Sequence, residues 1–153
     1  MRMWVILGLA VAVLLYGQAP AGAEIALPEG TKMTVYKSPH CDCCGQWVAY
    51  LRQRGMDVTV VEKEDMDPIK KMIGVPESLR SCHTALVGGY VVEGHVPISA
   101  IARMLREKPE IRGISLPGLP LGSPGMPGAK EEPFVIFAMT RKTGGAPSVY
   151  MTE

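Results

Sequence analysis

From Thr31 to Lys37, Met33, Val35 and Lys37 alternate with Thr34 and Tyr36. This two-residue period, rich in β-branched and aromatic side chains, predicts a strand that Ser38-Pro39 ends. The period then lengthens. Cys44, Trp47, Val48 and Leu51 fall at i, i+3, i+4 and i+7 and predict a helix from Cys44, stopped by Gly55. Asp57–Glu62 (DVTVVE) reads as a second strand. Asp67-Pro68 predicts a helix start, with Asp67 as N-cap, Pro68 at the first helical position and Ile69, Met72 and Ile73 as the buried stripe before Gly74. Val75-Pro76 to Ser81 reads as a turn or short helix. Thr84–Val87 and Tyr90–Glu93 flank Gly88-Gly89, a two-residue hairpin signal. Pro97 then opens a helix whose Ile98, Ile101, Ala102 and Leu105 again form one face.

The order β-α-β-α-β-β-α is that of a thioredoxin-like α/β fold. Helical crossovers make the first strands parallel, and the last two form a hairpin. Past Lys108 the texture changes. Ile111–Gly128 holds four prolines and five glycines and reads as a turn-rich loop, followed by strands at Phe134–Met139 and Ser148–Met151 around Gly144-Gly145. About 25 residues after a loop are too few for a core of their own. The expected organisation is therefore a leader at 1–23, a thioredoxin-like domain at 24–108 and a C-terminal extension of loop and β-hairpin at 109–153.

The leader rests on Arg2, the apolar run Val5–Leu15 and the small residues Ala21-Gly22-Ala23. This is the layout of a secretory signal peptide. The run is shorter than the ~20 residues that span a bilayer, so an uncleaved anchor is the lesser reading. No membrane association is expected after cleavage. The whole chain has 16 Lys+Arg and 15 Asp+Glu. Arg2 is the leader's one charge, so the mature chain is balanced and lacks the basic excess of a nucleic-acid binder.

An exported chain with four cysteines would ordinarily carry two disulfides. Here three of the four fall in Cys41-Asp42-Cys43-Cys44, and adjacent cysteines bridge only under strain. Cys41 and Cys44 are spaced C-x-x-C between the first strand and first helix, where free N–H groups and the helix dipole favour thiolate, the metal-ligating and nucleophilic form. A two-thiol switch does not need Cys43. Three sulfurs in one turn suit a soft ion, Cu(I) or zinc. Cys82 precedes the third strand, across from the C-x-x-C motif in a thioredoxin-like fold, and is read as the fourth ligand rather than as a buried core cysteine.

His83 stands where such folds carry a cis-proline; it is either a ligand or a strand-edge histidine bonded to backbone. His95 either caps the last helix or joins the site from outside. His40 is read as solvent-exposed beside Cys41. Met126, on the irregular loop Gly125-Met126-Pro127-Gly128, offers a thioether suited to Cu(I). Met72 and Met104, on helical stripes, are read as core.

Across Thr31–Gly128 the chain resembles the CopG-type copper-resistance proteins, a CxCC-marked family long known only as a domain of unknown function. The resemblance is carried by Tyr36-Lys37-Ser38-Pro39, Cys41-x-Cys43-Cys44, Ser81-Cys82-His83-Thr84-Ala85, the run from Gly89 to Pro97, and Gly122-Ser123-Pro124-Gly125-Met126. It implies a thioredoxin-like fold with a metal-binding C-terminal extension and a periplasmic location in a Gram-negative bacterium. It also implies a thiolate-bridged copper cluster that interconverts Cu(I) and Cu(II) in copper resistance. One departure is Leu119 in Pro117-Gly118-Leu119-Pro120, where the family often has methionine; leucine cannot ligate.

The leading reading is thus a periplasmic copper protein, a candidate copper oxidoreductase, expected to be monomeric and to meet copper efflux or chaperone proteins. A thiol–disulfide oxidoreductase with Cys41 as nucleophile and Cys44 as resolving thiol is the alternative. A non-catalytic zinc or copper store or chaperone is the third reading. Mass spectrometry of the exported chain should find Glu24 as its N-terminus; soluble cytoplasmic protein that retains Met1 would contradict the leader.

Overall fold

The computed structural model describes residues 27–142 and 144–153; the expected leader lies outside them. Among the described residues a single sheet carries seven strands and three α-helices pack on it. In chain order the elements are β1 (Lys32–Lys37), α1 (Asp42–Arg52), β2 (Asp57–Glu62), α2 (Asp67–Ile73), β3 (Thr84–Val87), β4 (Tyr90–Glu93), α3 (Ile98–Glu107), β5 (Gly113–Ser115), β6 (Val135–Met139) and β7 (Ser148–Thr152), with a 3-10 turn at Glu77–Leu79.

The strand order is β2-β1-β3-β4-β5-β6-β7. β1 and β2 are parallel, as the α1 crossover requires. β3 departs from the expected parallel run. The α2 connection carries the chain past β1, and β3 pairs with β1's other edge in the antiparallel sense. The β3–β4 hairpin turns at Gly88-Gly89, with Thr84 opposite Glu93.

Alternation along the strands separates two apolar faces. Met33, Val35, Ala85, Val92, Ile114 and Ile136 meet Trp47, Leu51, Ile101 and Met104 of α1 and α3. Val91 and Met139 meet Val75 and Leu79 from the segment after α2. α1 is fixed to the chain leading into α3 by two hydrogen bonds: Trp47 Nε1 donates to the Val96 carbonyl at 3.0 Å, and the Ile98 N–H donates to Tyr50 Oη at 3.1 Å.

α1 begins two residues before the expected Cys44, with Cys41 as its N-cap. In α2 the N-cap is Met66 rather than Asp67; the Asp65 carboxylate accepts from the Asp67 N–H at 2.9 Å. The stripe of α2 also differs from the sequence reading. Met72 is 73% exposed and is not core, Ile69 and Ile73 are half-buried, and the buried residue is Lys70. Met104 is core, as read.

The extension is more regular than a loop and hairpin. Gly113–Ser115 forms β5, parallel to β4 and antiparallel to β6, so the extension continues the same sheet. A side chain at Gly113 would strike the Val91 backbone, so glycine is what lets β5 pair there. The expected strands at Phe134–Met139 and Ser148–Met151 are β6 and β7.

Candidate metal centre

Cys41 ends the β1–α1 loop, its N–H bonded to the Ser38 carbonyl, and its own carbonyl accepts from Gly45 N–H to start the helix. Cys43 and Cys44 lie in the first turn of α1. Cys44 faces inward and is fully buried, whereas Cys41, Cys43 and Cys82 are half-buried. Cys82 comes from the segment before β3, which the β1–β3 pairing brings alongside the start of α1.

The four Sγ atoms lie within 4.8 Å of one another. Cys41 and Cys43 sulfurs are 3.5 Å apart, and Cys43 and Cys82 sulfurs 3.8 Å. Cys41 and Cys44 are joined as a disulfide, with Cα atoms 5.3 Å apart; Cys43 and Cys82 are free. The reading of an unbridged cluster is corrected to that extent. Positions three apart across a helix start fall within disulfide reach, whereas the adjacent pair Cys43 and Cys44 does not bridge. Using all four sulfurs as ligands therefore requires two electrons to open this bond. Burial, then the neighbouring Cys43 sulfur, pushes the Cys82 thiol up to about 11. Cys82 thus carries its proton at neutral pH and must release it to bind a metal ion.

His83 and His95 are fully buried, and neither belongs to the four-sulfur group. The His83 ring lies 4.3 Å from Trp47 and 4.9 Å from His95. His95 does not cap α3, whose N-cap is Pro97. Its Nδ1 sits 2.8 Å from the Pro124 carbonyl. A carbonyl only accepts, so Nδ1 carries the proton and Nε2 keeps its lone pair.

Burial holds both rings neutral by lowering their pKa; for His83 the fall is large, and His95 and Lys70 add to it. His95 Nε2 and both nitrogens of His83 lack a hydrogen-bond partner. An unsatisfied buried polar atom costs roughly 1–3 kcal/mol, and such atoms in a native fold call for an explanation. Neutral imidazoles with free lone pairs, one of them on the residue that follows Cys82, are donors that suit a soft or borderline metal ion. His40 is exposed, with Nε2 3.5 Å from a Glu64 carboxylate oxygen.

The extension closes over the helix start. Gly125, at φ +83°, lies so close to α1 that a Cβ there would sit 2.6 Å from Trp47 N and 2.8 Å from the Cys43 carbonyl. Met126 follows it, half-buried, its N–H bonded to the Ser123 carbonyl at 2.8 Å. Leu119, in the turn where a methionine would add a donor, is 51% exposed.

Sequence reasoning missed Trp47 as the common neighbour of these segments. It also missed a buried ion pair beside Cys82: Lys70 Nζ is 2.5 Å from Glu93 Oε1. Periodicity places Trp47 in the core but cannot name its contacts. Nothing in Asp67–Ile73 marks Lys70 as the buried member.

The family described as "Protein of unknown function, DUF411" matches residues 79–126. Two solved structures are similar over most of the chain. "Copper resistance protein copG- Form 2" is 35% identical with a TM-score of 0.73, over 80% of this chain and 98% of that one. "Copper resistance protein copG- Form 1" is 36% identical with a TM-score of 0.72, over 80% and 96%. No curated protein matches the sequence significantly.

Gly125→Ala combines a strained left-handed backbone with a clash against α1. It should lower stability by roughly 1–3 kcal/mol, read as a lower midpoint of chemical denaturation. An unchanged midpoint would mean that the loop does not depend on its close approach to Cys43.

Proposed function

The chain belongs to the CopG copper-resistance protein family, and from that membership we propose that it is an exported, periplasmic copper-binding protein of copper resistance. The observation that carries this reading is the convergence of Cys41, Cys43, Cys44 and Cys82, with all four sulfurs within 4.8 Å. Copper is favoured over zinc because the solved relatives are copper-resistance proteins and because soft thiolates select Cu(I).

When bound at such a site, copper supplies one-electron chemistry between Cu(I) and Cu(II). The protein's part is to hold and tune. Once a reductant supplies two electrons to open the Cys41–Cys44 bond, Cys41, Cys43, Cys44 and Cys82 would hold the ion as thiolates; binding would then release protons, and low pH would work against it. His83 and His95 offer neutral nitrogens free of other partners, and the Pro124 carbonyl orients the His95 ring. Met126 is a further candidate soft donor, next in the chain to the Gly125 that presses the loop onto α1. No helix among the described residues is long and apolar enough to cross a membrane. Copper efflux or chaperone proteins are the partners this reading calls for.

The Cys41–Cys44 bond supports a second reading, a thiol–disulfide oxidoreductase in which Cys41 attacks and Cys44 resolves. Cys43 decides between them. Two thiols can close to a disulfide in oxidant, whereas further soft donors favour the metal-bound, reduced cluster. Cys43→Ser keeps the C-x-x-C pair. It should lose most of its copper and form the Cys41–Cys44 disulfide readily, read as copper and free thiols per chain beside wild type. A variant with as much copper and the same visible spectrum would make Cys43 incidental and bring the oxidoreductase reading forward.

A further inference from the structure

Glu93 is fully buried at the end of β4, directly across the hairpin from Thr84. Its Oε1 accepts from Lys70 Nζ at 2.5 Å and from the Ser81 N–H at 2.7 Å; its Oε2 accepts from Thr84 Oγ1 at 2.6 Å. Lys70, 4% exposed, closes the ring by donating to Thr84 Oγ1 at 3.0 Å. Ser81 and Thr84 bracket Cys82-His83. One carboxylate thus grips both ends of the segment that delivers the fourth sulfur, and Gly94 N–H holds the His83 carbonyl between them at 3.0 Å.

Stability alone does not explain this pair. Moving either ion out of water costs several kcal/mol, and apolar residues of similar volume often replace a buried pair at no loss. What an apolar pair lacks is acceptors for Ser81 N–H and Thr84 Oγ1. The network is fully bonded, the condition under which buried polar groups specify one arrangement.

We propose that Glu93, charge-balanced by Lys70, is a positioning residue that sets the Cys82 sulfur against Cys43 and so completes the metal-binding cluster. The inference rests on the four-sulfur reading of the site. Glu93 touches no sulfur and acts through the backbone of Ser81 and the side chain of Thr84. Its Coulombic influence on Cys82, together with that of Lys70, is a consequence of the same placement.

The test separates placement from folding and from copper. In a Cys41→Ser, Cys44→Ser background, a mild oxidant couples Cys43 to Cys82 at a rate that reports their proximity in metal-free protein. Cu(I) affinity is measured separately, by competition with a chromogenic chelator, on the otherwise unmodified chain. Lys70→Met with Glu93→Leu should still fold cooperatively, with a lowered thermal midpoint because Ser81 N–H and Thr84 Oγ1 lose their acceptor, while the coupling rate and Cu(I) affinity each fall about tenfold, the scale seen when groups that orient metal ligands are removed. Lys70→Met with Glu93→Gln, which retains an acceptor for Ser81 N–H and leaves no unpaired buried ammonium, should restore most of the coupling rate.

Wild-type coupling and affinity in the Glu93→Leu double variant would overturn the proposal, as would a Glu93→Gln double variant no better than it. If the Glu93→Leu double variant does not fold, Thr84→Val keeps the ion pair and removes one arm of the grip. Slower coupling there supports the proposal, and unchanged coupling overturns it. A wild-type chain that takes up no copper, while its coupling depends on Glu93 as described, would defeat the metal reading and leave the positioning role standing.

Discussion

The burial of Trp47 is the contact on which the arrangement of this site depends. Its indole carries no exposed surface, its N–H is bonded to the Val96 carbonyl, and its ring lies 4.3 Å from that of His83. The Gly125 backbone packs against its N and Cα. The indole on the cysteine helix thus touches the segment before β3 and the segment after β4, while the backbone of the same residue meets the extension loop. Truncating a large buried aromatic typically costs about 3–5 kcal/mol, a large share of a domain's net 5–15 kcal/mol. At this position the same change would also loosen the segments that carry Cys82-His83 and His95.

The site is layered by polarity. Three half-buried sulfurs face outward, where an ion can arrive, and Cys44 lies behind them. Two neutral imidazoles with free nitrogens are as fully buried as Cys44, one of them oriented by a backbone carbonyl. The Lys70–Glu93 pair adds one positive and one negative charge beside the cluster and so brings it no net charge.

Elements whose pattern is local were legible in the sequence. The β3–β4 hairpin fell on the expected residues because Gly88-Gly89 fixes its turn, and α3 followed its apolar stripe. The meeting of Cys82 with the CxCC turn was expected from the thioredoxin-like arrangement, and the antiparallel β1–β3 pairing produces it by setting Thr84 beside Tyr36 at the end of β1. What escaped was set by distant partners. β5 is three residues among prolines and glycines, and it is a strand only because β4 and β6 flank it. Lys70 is buried because Glu93 waits across the sheet, which no count of apolar positions can reveal. Met72 was assigned to the core by spacing alone and points to solvent. The Cys41–Cys44 bond was discounted because a third thiol stood between them, although their spacing across a helix start permits it.

The central claim is that this chain holds copper through sulfur contributed by both the CxCC turn and Cys82. Its most direct test is X-ray absorption at the copper edge, on full-length protein loaded after reduction. The first coordination sphere should be dominated by sulfur, with fewer sulfur neighbours per copper when Cys82 is replaced by serine. A sphere of nitrogen and oxygen alone, or one that Cys82→Ser leaves unchanged, would contradict it.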